Sequence, residues 1–545
     1  MRLMFCAAAA IAIASPVVAA APDAAVTNRI IDAGMNHGEV METVEYLTDR
    51  IGGRMTNSPQ MRMAEKWTKQ RFTEFGLSNA RLEPFEFGRG WSIDSSQVRM
   101  TTPRVLPLRA IPVAWTPGTG ASNAAPGTGA AITAPIIVAP LRRDRDFDKW
   151  RGKLGGKIVL VSMPGDGNEP KDVPFERYDG AALAKLDKFD QPKSSAAELA
   201  REVKRDGFGA RRDAFLAAEG AKAWVSRSYR DGGLISGEGD GYTADDRRKV
   251  PGIQMAAEDY RRLARLAKGA EPVTLEMDTR VTFHEGDTRA NNVVADLPGS
   301  DPKAGYVMAG AHLDSWVGAD GATDNAAGSA VVMEAARILA GLGVKPKRTI
   351  RFALWAGEEQ GLYGSIAYLD QHMVTRAPIT DAALAKANPY TSWSTRFPIT
   401  PKPEFKDLAA YFNIDNGSGK IRGIYAEGNP AVASTFSQWL APFSSMGADK
   451  VVMSRTGGTD HVFMQSVGLP GFQFIQDPLD YETRTHHSDV DTFDHLKAND
   501  LRQAAVIMAS FLWNAANADA PLPRPPLPTK PKETNPFAYP DDSDD

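Results

Sequence analysis

From Asn291 onward the chain repeats one rhythm, an apolar run, a loop and a helical stretch, and most of the apolar runs end in a histidine or a carboxylate. The segments are "NNVVADL", "YVMAGAHLD", "AAGSAVVMEAARILAGLG", "TIRFALWAGEE", "DLAAYFNID", "GLPGFQFIQ" and a last helix, "DLRQAAVIMASFLWNAA". Strands alternating with helices need crossover connections, so this pattern predicts an α/β domain: a mostly parallel sheet sandwiched by helices. Such a sheet leaves a crevice outside the carboxyl ends of its strands, where chemistry is usually kept.

The strand ends carry a consistent set of groups. "AGAHLDSW" puts His312 and Asp314 after the run that starts at Tyr306, and "GATDNAAG" puts Asp324 at the entrance of the next helix. "TIRFALWAGEE" ends in Glu358 and Glu359, "YFNIDNGSG" carries Asp415, and "RTHHSDVDTFDH" supplies His486 and His487. Singly these have ordinary uses: Asp324 suits a helix cap and Asp415 a turn. Together they form the nitrogen and oxygen donor set of a divalent metal such as zinc. Two ions about 3.5–4 Å apart need one bridging carboxylate and further ligands on each side. Asp324 is expected to bridge, with His312 and Asp415 on one ion and Glu359 and His487 on the other. Glu358 is then left beside the site as a general base that takes a proton from the attacking water and returns it to the leaving amine. Asp314 is placed to accept the second imidazole N–H of His312 and fix its tautomer.

The rest of the chain predicts further units. Residues 22–117 read as two helical stretches followed by strands, with "ARLEPFEF" and "SSQVRMTT" among them, and join the α/β domain at 281–519. Between them, 118–280 opens with the Gly-, Ala- and Pro-rich "TPGTGASNAAPGTGAAITAP" and reads as an inserted domain of short strands and helices. The 520–545 tail, rich in Pro and acidic groups, predicts an extended or disordered segment, with Phe537 and Tyr539 as its only aromatic residues.

"MRLMFCAAAAIAIASPVVAAAPDAA" has a basic n-region at Arg2, an apolar stretch and small residues at Ala19 to Ala21, so 1–21 reads as a cleaved signal peptide. Cys6 is the only cysteine, so the mature protein has none and relies on its core or on metals. That suits a periplasmic or secreted protein of bacterial type. A net charge of -4 argues against a nucleic-acid partner, and no membrane contact beyond the export signal is expected.

The blocks "HLDSW", "GATDNAAG", "LWAGEEQGLYGS", "TGGTDHVFMQSVGLPG" and "HHSDVDT" resemble the signatures of the co-catalytic di-zinc exopeptidases related to bacterial leucyl aminopeptidase. The pattern is nearest the carboxypeptidase Q type, from about residue 40 to 515. The resemblance implies two zinc ions per chain held by His312, Asp324, Glu359, Asp415 and His487, with His486 as the neighbouring alternative. It also implies Glu358 as base, His461 of the "TDH" block as a substrate or oxyanion contact, and the insert as a protease-associated domain. The expected activity is hydrolysis of dipeptides or short peptides, with a homodimer common in this type. One stretch, 376–407, departs from the pattern and is expected to edge the cleft or serve an interface. A glutaminyl cyclase-like acyltransferase and a non-catalytic binding ectodomain share the scaffold; the first typically works with one zinc and the second loses ligands or base.

Overall fold

Every residue of Tyr306–His312 is buried, because this strand lies in the middle of its sheet with both faces covered. The computed structural model describes residues 22–120, 130–167, 170–187 and 196–529; the expected signal peptide and the tail aromatics Phe537 and Tyr539 lie outside them. The sheet has eight strands, in the order Ser78–Glu86, Arg289–Leu297, Thr349–Trp355, Tyr306–His312, Leu408–Asn413, Gly471–Gln476, Ile421–Tyr425 and Lys450–Val452. The four from Thr349–Trp355 to Gly471–Gln476 run parallel. Antiparallel partners flank this parallel core on both sides. The expected mostly parallel sheet is therefore present. Ile421–Tyr425 and Lys450–Val452 extend it beyond what the apolar rhythm revealed.

Alternate residues of the central strand feed two cores. Val307, Ala309 and Ala311 face the helices Ala327–Gly341 and Ala498–Asn517, while Tyr306 and Met308 face Trp355, Tyr368 and Tyr411. On the first side, the ring of Phe412 lies 5.6–6.3 Å from those of Phe436, Phe472, Phe474 and Phe511. Truncating such a ring to alanine costs about 3–5 kcal/mol. Helix Ala327–Gly341 is buried on nearly all sides, so its sequence shows no polar stripe. Its start presses on a strand end: a Cβ on Gly328 would stand 2.5 Å from the Ile414 carbonyl oxygen. Only glycine lets the loop that carries Asp324 approach Asp415 so closely.

A second eight-stranded sheet is built from Leu106–Pro107, Gly90–Thr102, Thr274–His284, Ile132–Val138, Ile158–Leu160, Ala223–Arg227, Gly252–Met255 and Ala110–Pro112, in that order. Its strands start at Gly90, well before residue 118. The composition change near Pro117 falls after the first strands of this unit, whose sheet boundary follows the long antiparallel pairing of Gly90–Thr102 with Thr274–His284.

The 376–407 stretch leaves a short ladder, Val374–Arg376 against Ile399–Pro401, and carries the helix Pro389–Ser392. The Arg376 guanidinium lies 3.4 Å from the centroid of the Trp393 ring, which packs on Phe463. The Asn388 amide donates to the Gln360 carbonyl at 2.6 Å, and this anchor sets Tyr390 and Thr391 on the rim of the strand-end cleft. Residues 520–529 form no helix or strand but are tied down. Leu522 is buried, and Arg524 donates to the carbonyls of Phe405, Lys406 and Leu408.

Candidate metal centre

Three of the parallel strands end at one place. Tyr306–His312 delivers His312, the turn after Thr349–Trp355 delivers Glu358 and Glu359, and Leu408–Asn413 leads to Asp415. Asp324 comes from the loop before the buried helix, and His487 from the loop after Gly471–Gln476.

Asp324 sits between the other four groups. Its Oδ1 is 3.1 Å from Nε2 of His312, which is also 3.2 Å from Oδ1 of Asp415. Its Oδ2 is 3.3 Å from Nε2 of His487, which is also 3.0 Å from Oε2 of Glu359. One carboxylate thus faces two half-sites with different oxygens. His486 is more distant, with Nε2 at 3.8 Å from Asp324, so His487 is the histidine drawn into the centre.

The donor set fits zinc on three grounds. Each Nε2 meets oxygens of two different carboxylates, which a single ring proton does not satisfy but a cation does. Ligand atoms about 2.0–2.1 Å from a tetrahedral zinc stand about 3.3 Å from one another, close to the spacings seen here. Oδ2 of Asp324 and both carboxylate oxygens of Glu359 are buried without a hydrogen-bond donor, a costly arrangement unless something positive lies between them.

The electrostatics agree. Burial pushes Glu359 up to about 7, with Asp324 adding to it. Burial also drives Glu358 well above the carboxylate range, and Asp415, Asp460 and Glu359 press in the same direction. Burial disfavours a charged His312, yet Asp415 and Glu358 outweigh it and raise its pKa well above the usual value. Such crowding of like charge is what a bound divalent cation relieves.

Asp314 does not act as the sequence suggested. Nδ1 of His312 meets the main-chain carbonyl of Asp314 at 2.9 Å, while the carboxylate oxygen is 3.7 Å away. That carboxylate instead accepts the backbone N–H groups of Glu358 and Glu359, each at 3.3 Å, and the Thr56 hydroxyl at 3.1 Å. It therefore holds the glutamate turn against the histidine strand. Nor does His461 line the cleft: it is fully buried, with Nε2 3.2 Å from Oε1 of Glu427.

Other contributors carried little local signal. Arg54 is buried and donates to the carbonyls of Leu313, Asp320 and Gly321, joining the His312 and Asp324 loops. Asp491 accepts the backbone N–H groups of Thr323 and Asp324 at 2.8 and 3.0 Å. Its place in "HHSDVDT" was the one available hint. The second sheet's unit contributes Glu238, Asp240 and Tyr242 to a cleft of about 830 Å³ in front of the centre, opposite Tyr390 and Thr391.

A carboxylate shared between two histidine–carboxylate pairs, at the carboxyl ends of a parallel sheet, defines a metal-dependent hydrolase. Residues 292–512 match the family model for Peptidase family M28. Over these residues the chain is similar to the co-catalytic zinc exopeptidases, and it is a zinc metallopeptidase. It is 25% identical to human carboxypeptidase Q over 486 residues, covering 89% of this chain and 86% of that protein. Leupeptin-inactivating enzyme 1 of Streptomyces exfoliatus is 25% identical over 263 residues, covering 45% of this chain and 52% of that protein. Among solved structures, a Peptidase M28 precursor from Shewanella amazonensis has the same fold, with a TM-score of 0.62, 23% identity and coverage of 93% of this chain and 99% of that one. So does BSAP, a zinc aminopeptidase from Bacillus subtilis, with a TM-score of 0.54, 18% identity and coverage of 88% and 94%.

Proposed function

We propose that this chain is an exported exopeptidase that holds two zinc ions and hydrolyses dipeptides or short peptides, with Glu358 as general base. The observation that carries the reading is the division of Asp324 between the two half-sites, Oδ1 towards His312 and Oδ2 towards His487. His312, Asp415 and Asp324 would hold one ion, and Glu359, His487 and Asp324 the other. Zinc in such a site lowers the pKa of a water from about 15.7 to about 7 and polarises the scissile carbonyl.

The chain's own groups do the rest. Glu358 lines the cleft beside His312 and Asp415, and its backbone N–H is anchored on Asp314. Its raised proton affinity suits a carboxylate that takes a proton from the attacking water and delivers it to the leaving amine. Tyr390 and Thr391 on one rim and Glu238 to Tyr242 on the other narrow the approach, which favours short substrates. The second sheet's unit then serves as the protease-associated domain. Export rests on the N-terminal pattern and a periplasmic location on the cysteine-free mature sequence. No helix among the described residues is long and apolar enough to cross a membrane. A homodimer is proposed from the resemblance alone.

The test is zinc content together with hydrolysis of dipeptides and N-terminal amino acid amides, comparing mature protein with Glu358→Gln. The expected result is two zincs per chain in both proteins and a kcat lower by about 10²–10⁴-fold in the variant. Fewer than two zincs in metal-replete wild type would overturn the two-ion reading. Full metal with no cleavage of any peptide would overturn the substrate class.

A further inference from the structure

We infer that Glu238 is a positioning residue for His487, so that the Glu359–His487 half of the centre is completed by the second sheet's unit. The inference rests on the two-zinc reading above. Oε1 of Glu238 is buried with no completed hydrogen bond and lies within ion-pair distance, 3.2 Å, of Nδ1 of His487, while Nε2 of the same ring faces Asp324 and Glu359. A carboxylate placed to accept a hydrogen bond from Nδ1–H keeps the proton on that nitrogen, leaves the Nε2 lone pair free for a metal and fixes the plane of the ring. His312 needs no such help from outside, because its Nδ1 is met by a main-chain carbonyl two residues along its own loop.

The loop that presents Glu238 is built to a fixed position. Ser236 donates its backbone N–H at 2.6 Å to the Gln254 side chain on the strand Gly252–Met255, and the Gly237 carbonyl accepts the Ala114 N–H at 2.8 Å. A Cβ on Gly239 would come within 2.1 Å of the Ala114 carbonyl oxygen, so the backbone is pressed against its neighbour just after Glu238. The same loop grips the segment around His487. The Asp489 N–H donates to the Ile235 carbonyl at 2.8 Å, and the Ile235 N–H donates to the Asp489 carboxylate at 3.0 Å. Arg230 donates to the carbonyls of Arg484 and His486, and Arg109 pairs with Asp489. His487 itself has a φ of 51°, a left-handed conformation that a histidine holds only when its surroundings impose it.

The experiment is a competitive chelator titration of zinc on the full mature chain, with thermal unfolding of the metal-free proteins alongside. In Glu238→Ala one zinc is expected to bind about 10–100-fold more weakly while the other is unchanged and the metal-free Tm stays at the wild-type value. Glu238→Gln, which keeps an acceptor of the same size, is expected to recover much of the loss. If the alanine variant is unfolded, Glu238→Leu, of similar size but without an acceptor, carries the same test, a selective weakening of one ion. Two zincs bound as in wild type, or both ions weakened together, would overturn the inference while leaving the two-ion reading intact. A wild-type chain holding fewer than two zincs removes that reading, and this inference with it.

Discussion

The two halves of the metal centre are built differently. His312 and Asp415 stand at the ends of strands that pair in parallel within one sheet, Tyr306–His312 beside Leu408–Asn413. Glu359 and His487 stand on a turn and a loop whose positions depend on groups brought from elsewhere, Asp314 for the first and the second sheet's unit for the other. Side chains at strand ends inherit the rigidity of the sheet, whereas loop-borne ones need their own supports. The first half is thus a property of one sheet, and the second a property of how two units meet.

The largest expected effect erases the difference altogether. Asp324→Asn weakens the one group common to both halves, so both zincs should be lost by elemental analysis and peptide hydrolysis should fall to background. Retention of a single tightly bound ion would show that the halves do not share Asp324. Asp314→Ala should separate them. The main-chain carbonyl that meets His312 survives this change, but the anchor of the Glu358–Glu359 turn does not. We expect a loss of about 10–100-fold in kcat/KM, with the Glu359-side ion weakened more than the other.

Arg109→Ala is a gentler probe of the same contrast. Its partner Asp489 sits on the loop of His487, but Arg109 is half exposed, and such pairs contribute about 0–1 kcal/mol. Zinc on the Glu359–His487 side should weaken by no more than about fivefold. Equal weakening of both ions would argue against a half supported from outside.

The smallest effect is a control remote from both halves. His372 lies between Glu83 and Glu404, at 3.2 and 3.0 Å; burial opposes its charge, yet these carboxylates raise its pKa to about 9. A histidine whose pKa rises on folding adds stability that is complete below its unfolded value of about 6.5 and is lost as pH climbs through 9. Wild type should therefore lose stability across that window, on the order of 1 kcal/mol after solvent screening. His372→Gln should flatten that slope in chemical unfolding at pH 6, 7.5 and 9 without altering zinc affinity.

Much of this was legible in the sequence because the relevant signal is local. An apolar run of strand length followed at once by His312, by Glu358 and Glu359 or by Asp415 places those groups at a strand end, and a strand end in a parallel sheet faces the crevice. The strands Ile421–Tyr425 and Lys450–Val452 were not legible, being short and lacking the longer apolar pattern. His461 was drawn from its motif towards the cleft, yet the helix His461–Ser466 turns it into the interior beside Glu427.

The amino-acid order by itself determined the four parallel strands of the first sheet and which groups follow their ends. Tertiary structure alone decided which oxygen of Asp324 serves which half, that Asp314 anchors a turn through its carboxylate, and that Glu238 and Arg54 reach the site. The reason is separation along the chain. The Arg54 contact to the Leu313 carbonyl spans 259 residues. Periodicity reports only on neighbours a few residues apart, whereas a contact of that span exists only once the distant segments have folded and packed together.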